Sequence, residues 1–238
     1  MGSGLDVVRW GAGRLRVGPW RGDDRIAYLA PVGDGPAPTP DAVRRAVAGL
    51  AGRGYREAVT AALGPLEAQG FLLAGFEVHE RLHLLARDLD DLPPAPPVPL
   101  RRGRRRDRPA VLAVDCRAFS PFWRLDDAGL DEALAATPTS RFRVSEADVG
   151  GVPTVVGYAV TGRAGRRGFL QRLAVDPDHE GAGRGRALVL DGLVWLRRRG
   201  VERVVVNTQE ANARALLLYE QLGFRRQHAG LAVLRSTL

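Results

Sequence analysis

With 238 residues, 45% hydrophobic and 26% charged, the chain is long enough for one large domain or two small ones with real cores, which excludes disorder throughout. Its net charge of +8 rests on 35 arginines, with no lysine, against 27 acids. The excess is local: residues 1–92 sum to −1, residues 93–109 to +5 and residues 110–238 to +4. A cationic run with no aromatic residues among its charges argues against a nucleic-acid binder and for a solvated segment.

Cys116, the single cysteine, excludes an internal disulfide, and the four histidines have no zinc-like spacing. No apolar stretch reaches the roughly 18 residues of a membrane span, and Met1 to Arg9 lacks the basic head and apolar core of a secretory signal. A cytoplasmic protein without a metal site is expected.

In chain order, residues 26–31 predict a strand, 41–50 a helix stopped at Gly52-Arg53-Gly54, 58–62 a strand, and 66–74 a helix stopped at Gly75-Phe76. His79 and His83 would share a helical face, but they fall in a strand-like run. Residues 93–99 read Pro-Pro-Ala-Pro-Pro-Val-Pro, an extended spacer with few backbone donors. Together with the arginines of 101–108 they place a linker at 93–109, between a small α/β domain at 1–92 and a second domain at 110–238.

The second domain opens with a strand-like β-branched run at 109–115, followed at 119–134 by one or two helices with an aromatic entrance. Strands are predicted at 141–145, 154–161 and 169–175, where Leu170, Leu173 and Val175 supply apolar content and Asp176-Pro177 ends the run. A helix at 185–199 stopped by Gly200, a strand at 204–206, a helix at 211–222 and a last strand at 231–234 complete an α/β sheet with helices on its faces.

The strongest local signal is the strand Leu173-Ala174-Val175, a loop containing Gly181, Ala182, Gly183, Arg184, Gly185 and Arg186, and then a helix. Glycines let the main chain approach a ligand, and the first turn of a helix leaves N–H groups free for phosphate oxygens. Arg184 and Arg186 add positive charge. No Gly-Lys-Ser/Thr follows, which excludes a Walker loop, and no acid ends a following strand as a dinucleotide fold would require.

Glu180-x-x-Gly183-x-Gly185 resembles the pyrophosphate loop Q/R-x-x-G-x-G/A of the GNAT superfamily of N-acetyltransferases, with Glu180 departing from the usual Gln or Arg. Asn212-x-x-Ala215-x-x-Leu218-Tyr219-x-x-x-Gly223-Phe224 resembles a second block of the same family. The resemblance covers residues 110–238. It implies the GNAT fold, a mixed, mostly antiparallel sheet flanked by helices, and transfer of an acetyl group from acetyl-CoA to an amine. It also implies roles: main-chain groups of Leu173, Ala174 and Val175 on the pantetheine arm, residues 181–186 on the pyrophosphate, Asn212 on the cofactor and Tyr219 at the acetyl sulfur. In similar enzymes that acetylate protein N-termini a Glu stands at the position held here by Asn207.

A phenol with a pKa of about 10 can share a proton with a thiol leaving near 8.5, which suits Tyr219 as general acid. No base is evident; Glu146, Asp176 and Glu210 are the candidates through water. Phe122, Trp123, Arg141 and Tyr158 fall where similar folds border the acceptor, a small-molecule amine or a protein N-terminus, although core packing is the commoner role for such aromatics. A CoA-binding regulatory module that never turns over is the alternative, suggested by Asn207.

The first half repeats the layout of the second. Sliding by 146 sets Arg53-Gly54 on Arg199-Gly200, and sliding by 148 sets Gly75-Phe76 on Gly223-Phe224. On that alignment Gly183 and Gly185 face Ala37 and Thr39, Tyr219 faces Phe71 and Asn212 faces Gly64, while Pro36, Pro38 and Pro40 remove donors. Residues 1–92 are expected to be a degenerate, non-catalytic unit of the same kind, with an unrelated α/β domain as the alternative.

Overall fold

The structure, a computed structural model, describes residues 6–10, 13–32 and 35–238; Met1 to Leu5, the start of the segment read for a targeting signal, lies outside them. The chain forms two compact units, Met1–Leu84 with Asn207–Asn212 and Gln227–Leu238, and Leu85–Val206 with Ala213–Arg226. No described helix is long and apolar enough to cross a membrane.

The first unit begins with β1 (Asp6–Trp10), β2 (Gly13–Trp20), β3 (Asp23–Pro31), α1 (Pro40–Ala51), β4 (Glu57–Thr60), α2 (Pro65–Leu72) and β5 (Glu77–Asp88), whose last four residues belong to the second unit. The second continues with β6 (Leu100–Arg102), α3 (Arg108–Ala118), α4 (Asp127–Ala135), β7 (Thr139–Val149), β8 (Val152–Ala164), β9 (Arg167–Val175), α5 (Arg184–Arg197), β10 (Arg203–Gln209), α6 (Ala213–Gln221) and β11 (Arg225–Arg226). β12 (Leu231–Thr237) ends the chain.

In the first unit β3 and β4 are parallel and the other ladders antiparallel, in the order β1-β2-β3-β4-β12-β5. The sequence reading put β12 in the second domain, but its partners are Glu57 to Val59 and Glu77 to Leu82. Leu234, fully buried, joins Leu29, Leu63 and Phe71 in that unit's core. A period-two pattern identifies a strand and its buried face but carries no information about which distant strand it pairs with. The boundary between units is therefore discontinuous along the chain.

Of the segment read as a linker, residues 93–99 form no helix or strand, whereas most of 100–109 lies in regular elements. β6 pairs with β7, a 3-10 turn follows at Arg105–Asp107, and α3 begins at Arg108. Buried Asp107 accepts from both Arg101 terminal nitrogens at 2.7 and 2.9 Å and from the Arg104 amide at 2.7 Å. The run at 109–115, read as a strand, lies in this helix. Val111, Val114 and Asp115 are its buried positions, a three-and-four spacing that packs on Val144 and Tyr158. Burial of that face overrides the weak β preference of the valines.

The repeat seen in the sequence extends to atomic detail. β3, α1 and β4 form a parallel crossover, as do β9, α5 and β10. At the end of α2 the Phe76 amide donates to the Phe71 carbonyl at 3.1 Å, and the rings meet edge-on at 5.2 Å. At the end of α6 the Phe224 amide donates to the Tyr219 carbonyl at 3.0 Å, with ring centroids 5.7 Å apart. Gly75 and Gly223 both take positive φ, the left-handed cap that lets the chain turn back over the helix.

Candidate active site

The second unit carries the phosphate-type loop. β9 pairs with β8 out to Val175, whereas its register with β10 covers Arg167 to Phe169 only. From Leu170 onward one edge of β9 therefore lacks a strand partner among the described residues. The Asp176 amide donates to the Val156 carbonyl at 2.8 Å. Alternation along the strand then directs the main-chain groups of Ala174 to β8 and those of Leu173 and Val175 to the open edge. Ala174 contributes a small buried side chain, not a free main-chain pair.

Beyond Val175 the chain makes a 3-10 turn, Pro177–His179, and passes through Gly181 (φ 78°) and Gly183 (φ 74°) into α5. Ala187 is the first residue of α5 to donate back within the helix, to the Gly183 carbonyl at 2.9 Å. The amides of Arg184, Gly185 and Arg186 precede it and lack helical acceptors. The Arg184 guanidinium does not face outward: it donates to Ser145 Oγ at 3.0 Å and the Glu146 carbonyl at 2.9 Å, locking the helix start to β7. Glu180 forms an ion pair with Arg214 of α6, which neutralises the acid that departs from the usual motif. Pro96, within the proline-rich segment, lies 3.7 Å from the point where a Gly183 Cβ would project, so part of that segment runs beside the loop.

Tyr219 is 5% exposed, packed with Leu222 and Phe224, and its hydroxyl has no hydrogen-bond partner among the described residues. That hydroxyl is not among the fully buried polar atoms without a partner, so it keeps some access to solvent. Burial raises its pKa above the ordinary tyrosine range, with the Arg172 charge acting in the opposite direction. Asn212 stands one residue ahead of α6, as Gly64 stands ahead of α2. Asn207, Glu210 and Asn212 all fall in the segment assigned to the first unit.

Two of the expected bases are already engaged. Glu146 accepts from Arg101 at 2.6 Å, which lowers its pKa, and Asp176 pairs with Arg117 at 3.0 Å. Of the four residues considered for the acceptor side, two have structural settings. Arg141 chelates Asp191 of α5 at 2.6 and 2.9 Å, and Tyr158 is fully buried. Phe122 and Trp123 are half-buried and meet edge-on at 5.1 Å.

A buried network missed in the sequence links these parts. Asp115 accepts from Tyr158 Oη at 2.5 Å, from Arg172 Nε and Nη2 at 2.8 Å each, and from the Leu125 amide at 2.7 Å. Arg172 also donates to the Trp123 carbonyl at 2.6 Å, and its guanidinium lies 3.6 Å from the Phe119 ring centroid. The loop from Phe119 to Leu125 is thus fastened to the residue directly before Leu173. The available signal was a lone acid and a lone arginine, each inside an apolar run where a charge should be buried only with a partner.

A family profile described as "Acetyltransferase (GNAT) family" matches residues 109–224, and this part of the chain belongs to that family. The mycothiol acetyltransferase of Thermobispora bispora is 35% identical over 184 residues, covering 68% of this chain and 60% of that protein. That of Actinosynnema mirum is 34% identical, covering 62% of this chain and 52% of the relative. The chain thus spans about half to three-fifths of the curated relatives it matches. A solved tandem GNAT protein from the clavulanic acid biosynthesis pathway superposes with a TM-score of 0.67 at 16% identity, covering 97% of this chain and 81% of that one, a likeness of fold.

Proposed function

We propose that the protein is an acetyl-CoA-dependent N-acetyltransferase acting on a primary amine, with Tyr219 as general acid. The observation that carries this reading is a buried phenol whose hydroxyl lacks a protein partner, placed in the same unit as an open strand edge and a helix start with free amides. Bound acetyl-CoA would supply a thioester carbonyl for the amine to attack and a sulfur to leave. The amides of Arg184, Gly185 and Arg186 fit the diphosphate, and the main-chain groups of Leu173 and Val175 fit the pantetheine amides as an added strand would. One of those N–H groups suits the developing oxyanion. Tyr219, held protonated at neutral pH, suits the departing sulfur.

Glu146 and Asp176 are held by arginines and Asn207 cannot take a proton, which leaves Glu210 acting through water, or an amine that arrives already neutral and needs no base. The first unit acts without chemistry of its own. Its equivalent loop carries Pro36, Pro38 and Pro40, and the Pro38 carbonyl lies so close to Gly70 that a Cβ there would overlap it, so α2 is covered where a ligand would need room.

The test is hydrolysis-corrected release of CoA with a panel of amines and peptide N-termini, in which the relatives' name puts mycothiol-related amines first. Amine-dependent release supports transfer. Tight CoA binding without turnover on any acceptor would favour the regulatory module that Asn207 suggests. Gly183→Ala is expected to weaken CoA binding severalfold by calorimetry and to cost about 1–2 kcal/mol of stability, because an alanine in this left-handed conformation is strained.

A further inference from the structure

The arginine run at 101–108 has no part in that chemistry, yet the fold gives it a defined setting. Arg101 is engaged by Asp107 and Glu146, and Arg108 by Asp127 at 3.0 Å and Asp131 at 2.6 Å. Arg104 and Arg105 are exposed and have no side-chain partner among the described residues. Both line a cavity of about 750 Å³, in the range of small-molecule sites.

Its apolar wall is Phe142 with Leu134 and Pro109. The Phe142 ring reaches this position because residue 103 is glycine, where any Cβ would collide with it, and the Gly103 amide is fixed to the Phe142 carbonyl at 3.0 Å. Asp127 and Asp131 also line the cavity; both side chains are exposed, and each accepts from Arg108 through Oδ1 and so has a second carboxylate oxygen that can accept. The cavity thus joins two unpaired guanidiniums, a flat apolar surface and two acceptor oxygens. A simple anion would use the cations alone, and an apolar molecule would leave them unpaired.

We propose that this cavity binds a phosphorylated nucleoside at a site separate from the acetyl-transfer centre. The phosphate lies on Arg104 and Arg105, whose planar forks match its oxygens. The base lies on Phe142 and Leu134, and the sugar hydroxyls donate to Asp127 and Asp131. Arg108 at the start of α3 lines this cavity, whereas Asp115, seven residues further on and about 10 Å along the helix, bonds Arg172.

The experiment is calorimetric titration of the full chain with 5′-AMP, adenosine and inorganic phosphate, each with and without saturating CoA, since CoA itself carries an adenine nucleotide. AMP is expected to bind one site with Kd below about 1 mM whether or not CoA is present. Adenosine and phosphate should each bind at least about tenfold more weakly, and the double variant Arg104→Ala/Arg105→Ala should lose about tenfold or more for AMP. Both side chains are exposed, so an unchanged melting temperature will show that the variant folds. Loss of AMP binding when CoA is added, phosphate binding as tightly as AMP, or full affinity in the double variant would each overturn the proposal. Because the double variant can be assayed without CoA, the proposal can fail or survive independently of the acetyltransferase assignment.

Discussion

Tyr219→Phe is expected to lower kcat by about 10²-fold or more at saturating acetyl-CoA and amine, the usual range for a lost acid–base group. The same change should leave stability within about 0.5 kcal/mol of the parent, because the hydroxyl removed has no protein partner to orphan. The loss of turnover separates a catalytic tyrosine from a packing one, whose ring Phe retains and whose replacement would leave kcat alone, and the unchanged stability shows that the variant folds. The pH profile supplies a second check. Burial raises the Tyr219 pKa and Arg172 only partly opposes it, so the acid form persists through neutral pH and well into the alkaline range. The tyrosine therefore imposes no loss of rate below about pH 10. A limb near pH 8 that disappears in Tyr219→Phe would contradict this.

Asp115→Ala is expected to destabilise the second unit by about 3–5 kcal/mol, since removing one partner of a buried pair leaves the other charge uncompensated. Arg172 would keep only the Trp123 carbonyl and the Phe119 ring, and the Tyr158 hydroxyl and Leu125 amide would lose their acceptor. Denaturant unfolding measures the loss. Hydrogen exchange should show faster opening from Phe119 to Leu125 than in the parent, because that loop is tied to β9 through this acid. Exchange unchanged in the loop would detach it from the network.

Local signals in the sequence located most of the second unit. The glycine loop, the strand before it and the helix after it follow from residues adjacent in the chain, and so does the block from Asn212 to Phe224. The internal repeat was also legible, because glycine-aromatic helix ends at Gly75-Phe76 and Gly223-Phe224 are local features. What was not legible depends on distant contacts. β12 looks like any short strand until its partners in β4 and β5 are known. α3 was hidden by β-branched valines whose burial, not their propensity, decides the helix. Whether Arg141 and Tyr158 border a substrate or pack inside the fold could not be read from the chain, because nothing nearby in sequence shows Asp191 or Asp115 engaging them. Arg172 and Asp115 lie 57 positions apart, and either one alone reads as a lone charge in an apolar segment.

The free amides at the start of α5 are expected to hold the diphosphate of CoA, with the open edge of β9 holding its pantetheine arm. A crystal structure with CoA tests it most directly. Diphosphate oxygens are expected on the amides of Arg184, Gly185 and Arg186, and pantetheine bonded to main-chain groups of Leu173 and Val175 but not of Ala174. Diphosphate density at the proline-rich loop of the first unit, or anywhere other than these amides, would contradict it.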